Sequence, residues 1–132
     1  MKLQIFNAEN STKVRTGKPM VGMNVTTGLF RINGMAVELM GLKENDQISV
    51  AYDEEGDEWY IFKDRENGFT CRRGEKSEDK RALNFGCASL ARKIFDYAKY
   101  EKLSGYCLVG SEAVRHGKID YYPLITGTLK ND

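Results

Sequence analysis

Residues 29 to 62 and 82 to 125 run through the same order of local signals: a short strand, a short helix, then two strands joined by a polar turn. A helix this short covers only part of a sheet. Ordering each residue costs roughly 1 to 2 kcal/mol of backbone entropy, so neither stretch is expected to stand alone. The pattern predicts an α+β fold over residues 1 to 132, with mixed or antiparallel sheets, two main helices, and two linked βαββ units in one compact domain. A plainer mixed sheet carrying two helices fits the same signals.

In the first stretch the strand Leu29 to Ile32 leads to Asn33, whose side chain can cap the first amides of a helix through Met35, Ala36, Leu39 and Met40. Gly41 followed by Leu42 supplies a C-terminal stop with its apolar contact. Ile48, Val50 and Tyr52 then fall on one face of a strand over Gln47 to Tyr52, and Trp59 to Phe62 forms a second. The acidic residues between them read as an exposed hairpin turn that discourages edge pairing, and they lack the ligand spacing of a calcium loop. Upstream, Lys2 to Phe6 and Met20 to Val25 are expected as short strands, separated by a polar loop.

The second stretch opens with a strand at Ala82 to Phe85. Cys87, Leu90, Ala91, Ile94, Phe95 and Ala98 then recur at helical spacing and are expected in the core. Gly105 to Val109 is a further strand, Gly110 to Lys118 a connection, and Ile119 to Tyr122 a last strand that Pro123 should interrupt. Asn67 to Arg81 is the expected link between the halves, where Phe69 and Cys71 can extend a strand.

Of the 132 residues, 20 are Lys or Arg and 19 are Asp or Glu, leaving a net charge of +1 that demands no polyanionic or membrane partner. No apolar run approaches membrane-spanning length, and the first residues do not resemble a signal peptide, so a cytoplasmic location is expected. Cys71, Cys87 and Cys107 lack the close pairing of a zinc or redox motif and are expected to be reduced, core-type thiols. His116 is the sole histidine. No metal, cofactor or catalytic set is expected: neither Ser111, Glu112 and His116 nor Cys107 with His116 makes a hydrolytic site by proximity in sequence.

Charge is nevertheless unevenly distributed. Residues 38 to 66 hold ten acidic and three basic side chains, a local balance of −7, whereas residues 72 to 102 hold nine basic and five acidic, a balance of +4. The acidic stretch should repel phosphate unless folding hides it. Arg72, Arg73, Arg92 and Lys93 are the candidate nucleic-acid contacts of the basic stretch, provided that they converge on one face. The aromatics Tyr52, Trp59, Tyr60, Phe62, Tyr106, Tyr121 and Tyr122 serve sheet packing as readily as base stacking.

Residues 28 to 50, GLFRINGMAVELMGLKENDQISV, resemble the AbrB/SpoVT-like family of swapped-hairpin transcription regulators in their rhythm of strand, short helix ending at Gly41-Leu42, polar turn and strand. The family often has an isoleucine-proline step where this chain has Ile32-Asn33. The resemblance implies DNA binding by paired subunits, with Arg31 and Lys43 as the matching contacts. Taken with the rest of the chain, two functions are expected. One is a non-enzymatic protein-interaction or assembly module with a homo-oligomeric or protein partner. The other is a regulatory DNA- or RNA-binding protein.

Overall fold

The computed structural model of the chain describes residues 1–3, 17–74 and 80–131. Residues 4–6 of the strand expected over Lys2 to Phe6, most of the polar loop after it, and residues 75–79 of the link lie outside the described residues. Within them the chain runs β1 (Met20–Asn24), β2 (Leu29–Ile32), α1 (Gly34–Met40), β3 (Gln47–Asp53), β4 (Glu58–Lys63), β5 (Phe69–Thr70) and β6 (Leu83–Gly86). It continues through α2 (Ala88–Tyr97), β7 (Ser104–Val109), β8 (Val114–His116) and β9 (Ile119–Lys130).

Alternation along the strands decides which way they face. Val21 and Met23 of β1, Phe30 and Ile32 of β2, Leu83 and Phe85 of β6, and Cys107 and Val109 of β7 are buried, while the residues between them are half-buried or exposed, apart from the small buried Gly105. Such one-sided strands need a shared interior. They obtain it by pairing in the ring order β5-β3-β4-β9-β7-β1-β2-β6, with every pair antiparallel. The ring is all but closed by one bridge between Arg72, just beyond β5, and Asn84 of β6. Behind this seam the rings of Phe69, Phe85 and Phe30 stack, with centroids 5.1 Å and 4.5 Å apart.

The two stretches contribute to the ring in corresponding ways. Counting β1 with the first stretch and β5 with the second, β1 pairs with β2 and β5 meets β6; β3 pairs with β4 and β7 with β9. Between the halves, β1 joins β7, β3 joins β5, β2 joins β6, and β4 joins β9. Each half thus completes strand pairing begun by the other.

The two helices form where expected. Asn33 Oδ1 accepts the Ala36 N–H at 2.9 Å, and Gly41 takes the left-handed conformation with φ 65°, which lets Leu42 N–H reach Val37 O at 2.9 Å. Ala36, Val37 and Met40 of α1 and Ala91, Ile94 and Phe95 of α2 are buried. Each helix therefore supplies one apolar stripe, and fully burying each larger side chain contributes about 1.5 to 3 kcal/mol.

Of the mixed or antiparallel arrangements expected, the sheet is antiparallel, and it dominates the α+β fold as a barrel-like ring. Two expectations need correction. Gly110 to Lys118 is more than a connection, because Val114–His116 pairs with the start of β9. Pro123 does not end the last strand, which continues to Lys130. Its carbonyl accepts Gly110 N–H at 2.8 Å, so the missing proline N–H costs only the return bond to Gly110, just past the end of β7.

Candidate interaction face

β9 is twelve residues long and alternates over most of that length. Tyr122 and Leu124 point toward the interior, where Leu124 is buried and Tyr122 O–H donates to Leu39 O at 3.3 Å. Ile119, Tyr121, Pro123 and Ile125 therefore share the outer side. Cross-strand pairing extends this row sideways, since directly opposed residues face the same way. Tyr60 of β4 lies opposite Pro123, Val114 of β8 opposite Tyr121, Leu108 of β7 opposite Ile125, and Met20 of β1 opposite Leu108. The Phe62 ring sits 4.7 Å from Tyr121, and Tyr60 meets Tyr121 edge-on at 6.3 Å.

The outcome is an outer face without a formal charge at any of these positions. Val114 is 52% exposed, Ile125 42% and Ile119 37%. Isolated exposed apolar residues are ordinary, but a contiguous set built on one sheet face is the usual mark of an interaction surface. At its rim, Tyr60 O–H donates to Glu58 Oε2 at 2.6 Å, and this bond raises the phenol pKa above its ordinary value.

The β8–β9 hairpin extends the face beyond the ring. Gly117, with φ 67°, makes its turn, and every residue from Val114 to Asp120 is exposed. Its Arg115–Asp120 ion pair, 3.7 Å long and open to water, adds little stability. Among the described residues β8 pairs with β9 alone, so its outer edge has no strand partner there.

The basic residues expected to contact nucleic acid sit on the β2–β6 seam, in the turn after α1 and on α2. Arg31 and Arg72 stand on opposite sides of Asn84 in one outer row, because Arg31 pairs with Asn84 across β2 and β6 and Arg72 bridges Asn84 from the other side. Arg72 also donates to Asn45 Oδ1 at 3.0 Å. The Asn84 Oδ1 atom is buried and has no hydrogen-bond partner among the described residues. On the flank of the same row, the Tyr106 ring lies over Gly22. Arg73 is the next residue along, with its backbone N–H donating to Glu44 Oε2 at 3.2 Å. Lys43, next to Glu44 in the turn after α1, lines a concavity with Lys63 and Arg65. Arg92 and Lys93 are on the exposed side of α2, where Arg92 borders a groove with Lys99 and Lys102.

The acidic turn is an exposed loop between β3 and β4, and Tyr52 O–H donates to Asp57 Oδ1 at 2.5 Å across it. That bond, with some burial, pushes the Tyr52 pKa up to about 12. Cys107 lies in the core on β7, and burial pushes its thiol up to about 12, whereas His116 is on the exposed hairpin. They do not form a nucleophile and base.

Sequence reading missed Val114 and Ile119 as a surface pair and Lys63 and Arg65 as partners of Lys43. The first had a local signal: Gly117 between two short runs with an apolar residue at each end is a hairpin pattern. The second had none, because it depends on how β3 and β4 pair. No protein-family model, curated protein or solved structure matches the chain.

Proposed function

We propose that this protein is a non-enzymatic assembly module that associates with a second copy of itself through the outer face of β4, β8 and β9. The carrying observation is the contiguous uncharged face from Tyr60 and Phe62 across Tyr121 to Val114 and Ile119. A two-stranded hairpin is marginal by itself in water. Covering its apolar side and pairing its open β8 edge would remove both liabilities, and a twofold arrangement of two such hairpins does so with identical surfaces. We also read the chain as one cooperative domain of two related halves, because every strand of one half depends on the other for part of its surroundings.

The test is the mass of the protein in solution by light scattering, with Val114→Glu and Ile119→Glu as probes. Both residues are exposed, so the substitutions leave the core intact. A dimer that the double substitution converts to a folded monomer supports the reading. A wild-type protein that remains monomeric at high micromolar concentration overturns it.

A second reading, a regulatory nucleic-acid-binding protein, draws on the row containing Arg31, Asn84 and Arg72 with Tyr106 at its flank. Two guanidinium groups suit successive phosphates. The resemblance of residues 28 to 50 to swapped-hairpin regulators leans the same way, since it implies DNA binding. Binding of a short duplex that weakens with salt, and weakens further in Arg72→Ala with Arg73→Ala, would favour this reading.

A further inference from the structure

The three basic residues in the acidic stretch 38–66 are Lys43, Lys63 and Arg65, and the fold brings all three to one concavity of about 190 Å³ beside the end of α1. The pairing of β3 with β4 explains the separation of sign. Asp53 faces Glu58 at the turn, while Ile48 faces Lys63 at the other end of the same ladder. Five residues at about 3.4 Å each put roughly 17 Å between Lys63 and the acidic turn, about twice the screening length of roughly 8 Å at physiological salt. The stretch that looks repulsive to anions in sequence is bipolar in space.

The neighbouring carboxylates are already engaged. Asp46 Oδ2 accepts Lys43 N–H at 2.8 Å. Asp64 Oδ2 accepts the Ser49 hydroxyl at 2.8 Å, and its Oδ1 accepts the Glu66 and Asn67 N–H groups at 3.1 Å and 3.2 Å. These bonds hold the Asp64 carboxyl below its ordinary pKa without a basic side chain as partner. Among the described residues, the side chains of Lys43, Lys63 and Arg65 make no hydrogen bond or ion pair. A larger groove of about 500 Å³ adjoins the concavity, shares Lys63 and Arg65 with it, and places Lys118 of the β8–β9 hairpin on its wall; Glu66 and Asp120 also border it.

We infer that Lys43, Lys63 and Arg65 form a binding site for a small phosphate-bearing anion. A guanidinium fork flanked by two ammonium groups matches a phosphate's several acceptor oxygens, and such charge-assisted bonds are the strong ones. The concavity itself shares no residue with the assembly face proposed above, although Ile119 of that face borders the adjoining groove. Its small volume takes a phosphoryl group, and the adjoining groove has room for whatever the phosphoryl group is attached to.

Inorganic phosphate and adenosine monophosphate are titrated separately into the isotope-labelled full chain, with amide shifts as the readout. Saturable shifts at Gly41, Lys43 and Arg65 in the millimolar range or tighter are expected. Lys63→Gln with Arg65→Gln should weaken binding by about tenfold or more, while Arg92→Gln with Lys93→Gln on α2 leaves it unchanged. Tighter binding of the nucleotide assigns the larger groove to the organic part, and equal binding assigns the site to free phosphate. The inference is overturned if neither anion shifts these amides, or if the α2 variant loses as much affinity as the site variant. It is likewise overturned if chloride at matched ionic strength gives the same shifts.

Discussion

Arg72 and Asn84 exchange two backbone hydrogen bonds, Arg72 N–H to Asn84 O at 2.8 Å and Asn84 N–H to Arg72 O at 2.7 Å. This pair joins the strand that follows the first half to the first long strand of the second. Without it β6 would be an edge on one side, and the stacked rings of Phe69 and Phe85 would lie beneath an open seam.

Removing the donor at this seam should therefore cost more than removing the side chain. Arg72→Pro leaves the Asn84 carbonyl without its partner, a loss of about 1 to 3 kcal/mol. Arg72→Ala retains both backbone bonds and should stay within about 0.5 kcal/mol of the parent. Urea unfolding of the two variants checks the difference. Equal stability would mean that the bridge does not hold the ring together.

Asn33 has a broader role than a helix cap. Its Oδ1 accepts Ala36 N–H at 2.9 Å and Met20 N–H at 3.0 Å, its Nδ2 donates to Lys18 O at 3.0 Å, and its own N–H donates to Met20 O at 3.0 Å. The side chain ties the start of α1 to the start of β1. Asn33→Ala should cost about 2 kcal/mol, toward the upper end for a cap, because a strand amide loses its acceptor as well. Asn33→Asp retains the acceptor and should recover most of that loss. Asn33→Pro additionally removes the backbone donor and should be the least stable of the three in thermal unfolding.

Asn33, Gly41 and Leu42 were readable because a helix end is a local problem solved by neighbours in sequence. The alternation that buries Val21, Phe30, Ile32, Leu83 and Phe85 was readable for a similar reason. Ring closure was not, since nothing in Phe69-Thr70-Cys71-Arg72 says which strand will pair on each side. Gly28 was equally silent. Its φ is 78°, and a Cβ there would meet Ala88 N at 2.7 Å, a clash created only when the β1–β2 turn packs against the start of α2. The interaction face was half legible. Alternation from Ile119 to Ile125 was present, but Pro123 read as a terminator because its pairing partners were unknown. Convergence of Lys43, Lys63 and Arg65 required the β3–β4 register.

Tyr52 carries a definite pH signature. Its folded pKa is raised from 10.0 to about 12, chiefly by its hydrogen bond to Asp57. A phenol whose folded pKa lies above the unfolded one contributes stability that is complete below pH 10 and declines as the pH rises toward about 12. Over that window the parent protein should lose stability faster than Tyr52→Phe, which has no phenol at this position to ionise. Urea midpoints at about pH 9 and about pH 11 supply the comparison. Parallel declines in the two proteins would show that the Asp57 bond does not persist in solution.

The three thiols should separate by reactivity, because the thiolate is the attacking species and burial suppresses it. Cys107 is buried with its pKa pushed up to about 12, and Cys71 is buried with its pKa pushed up to about 11 by burial and the nearby Asp46 carboxylate. Cys87 is half-buried at the start of α2, with its sulfur 3.4 Å from the Ser89 hydroxyl. A thiol-specific chromogenic reagent at neutral pH should label the native protein rapidly at Cys87 alone, and all three thiols once urea unfolds it. Cys87→Ser should abolish the fast phase. Rapid native labelling of Cys107 would show that β7 opens to solvent, and would return a thiol nucleophile to consideration.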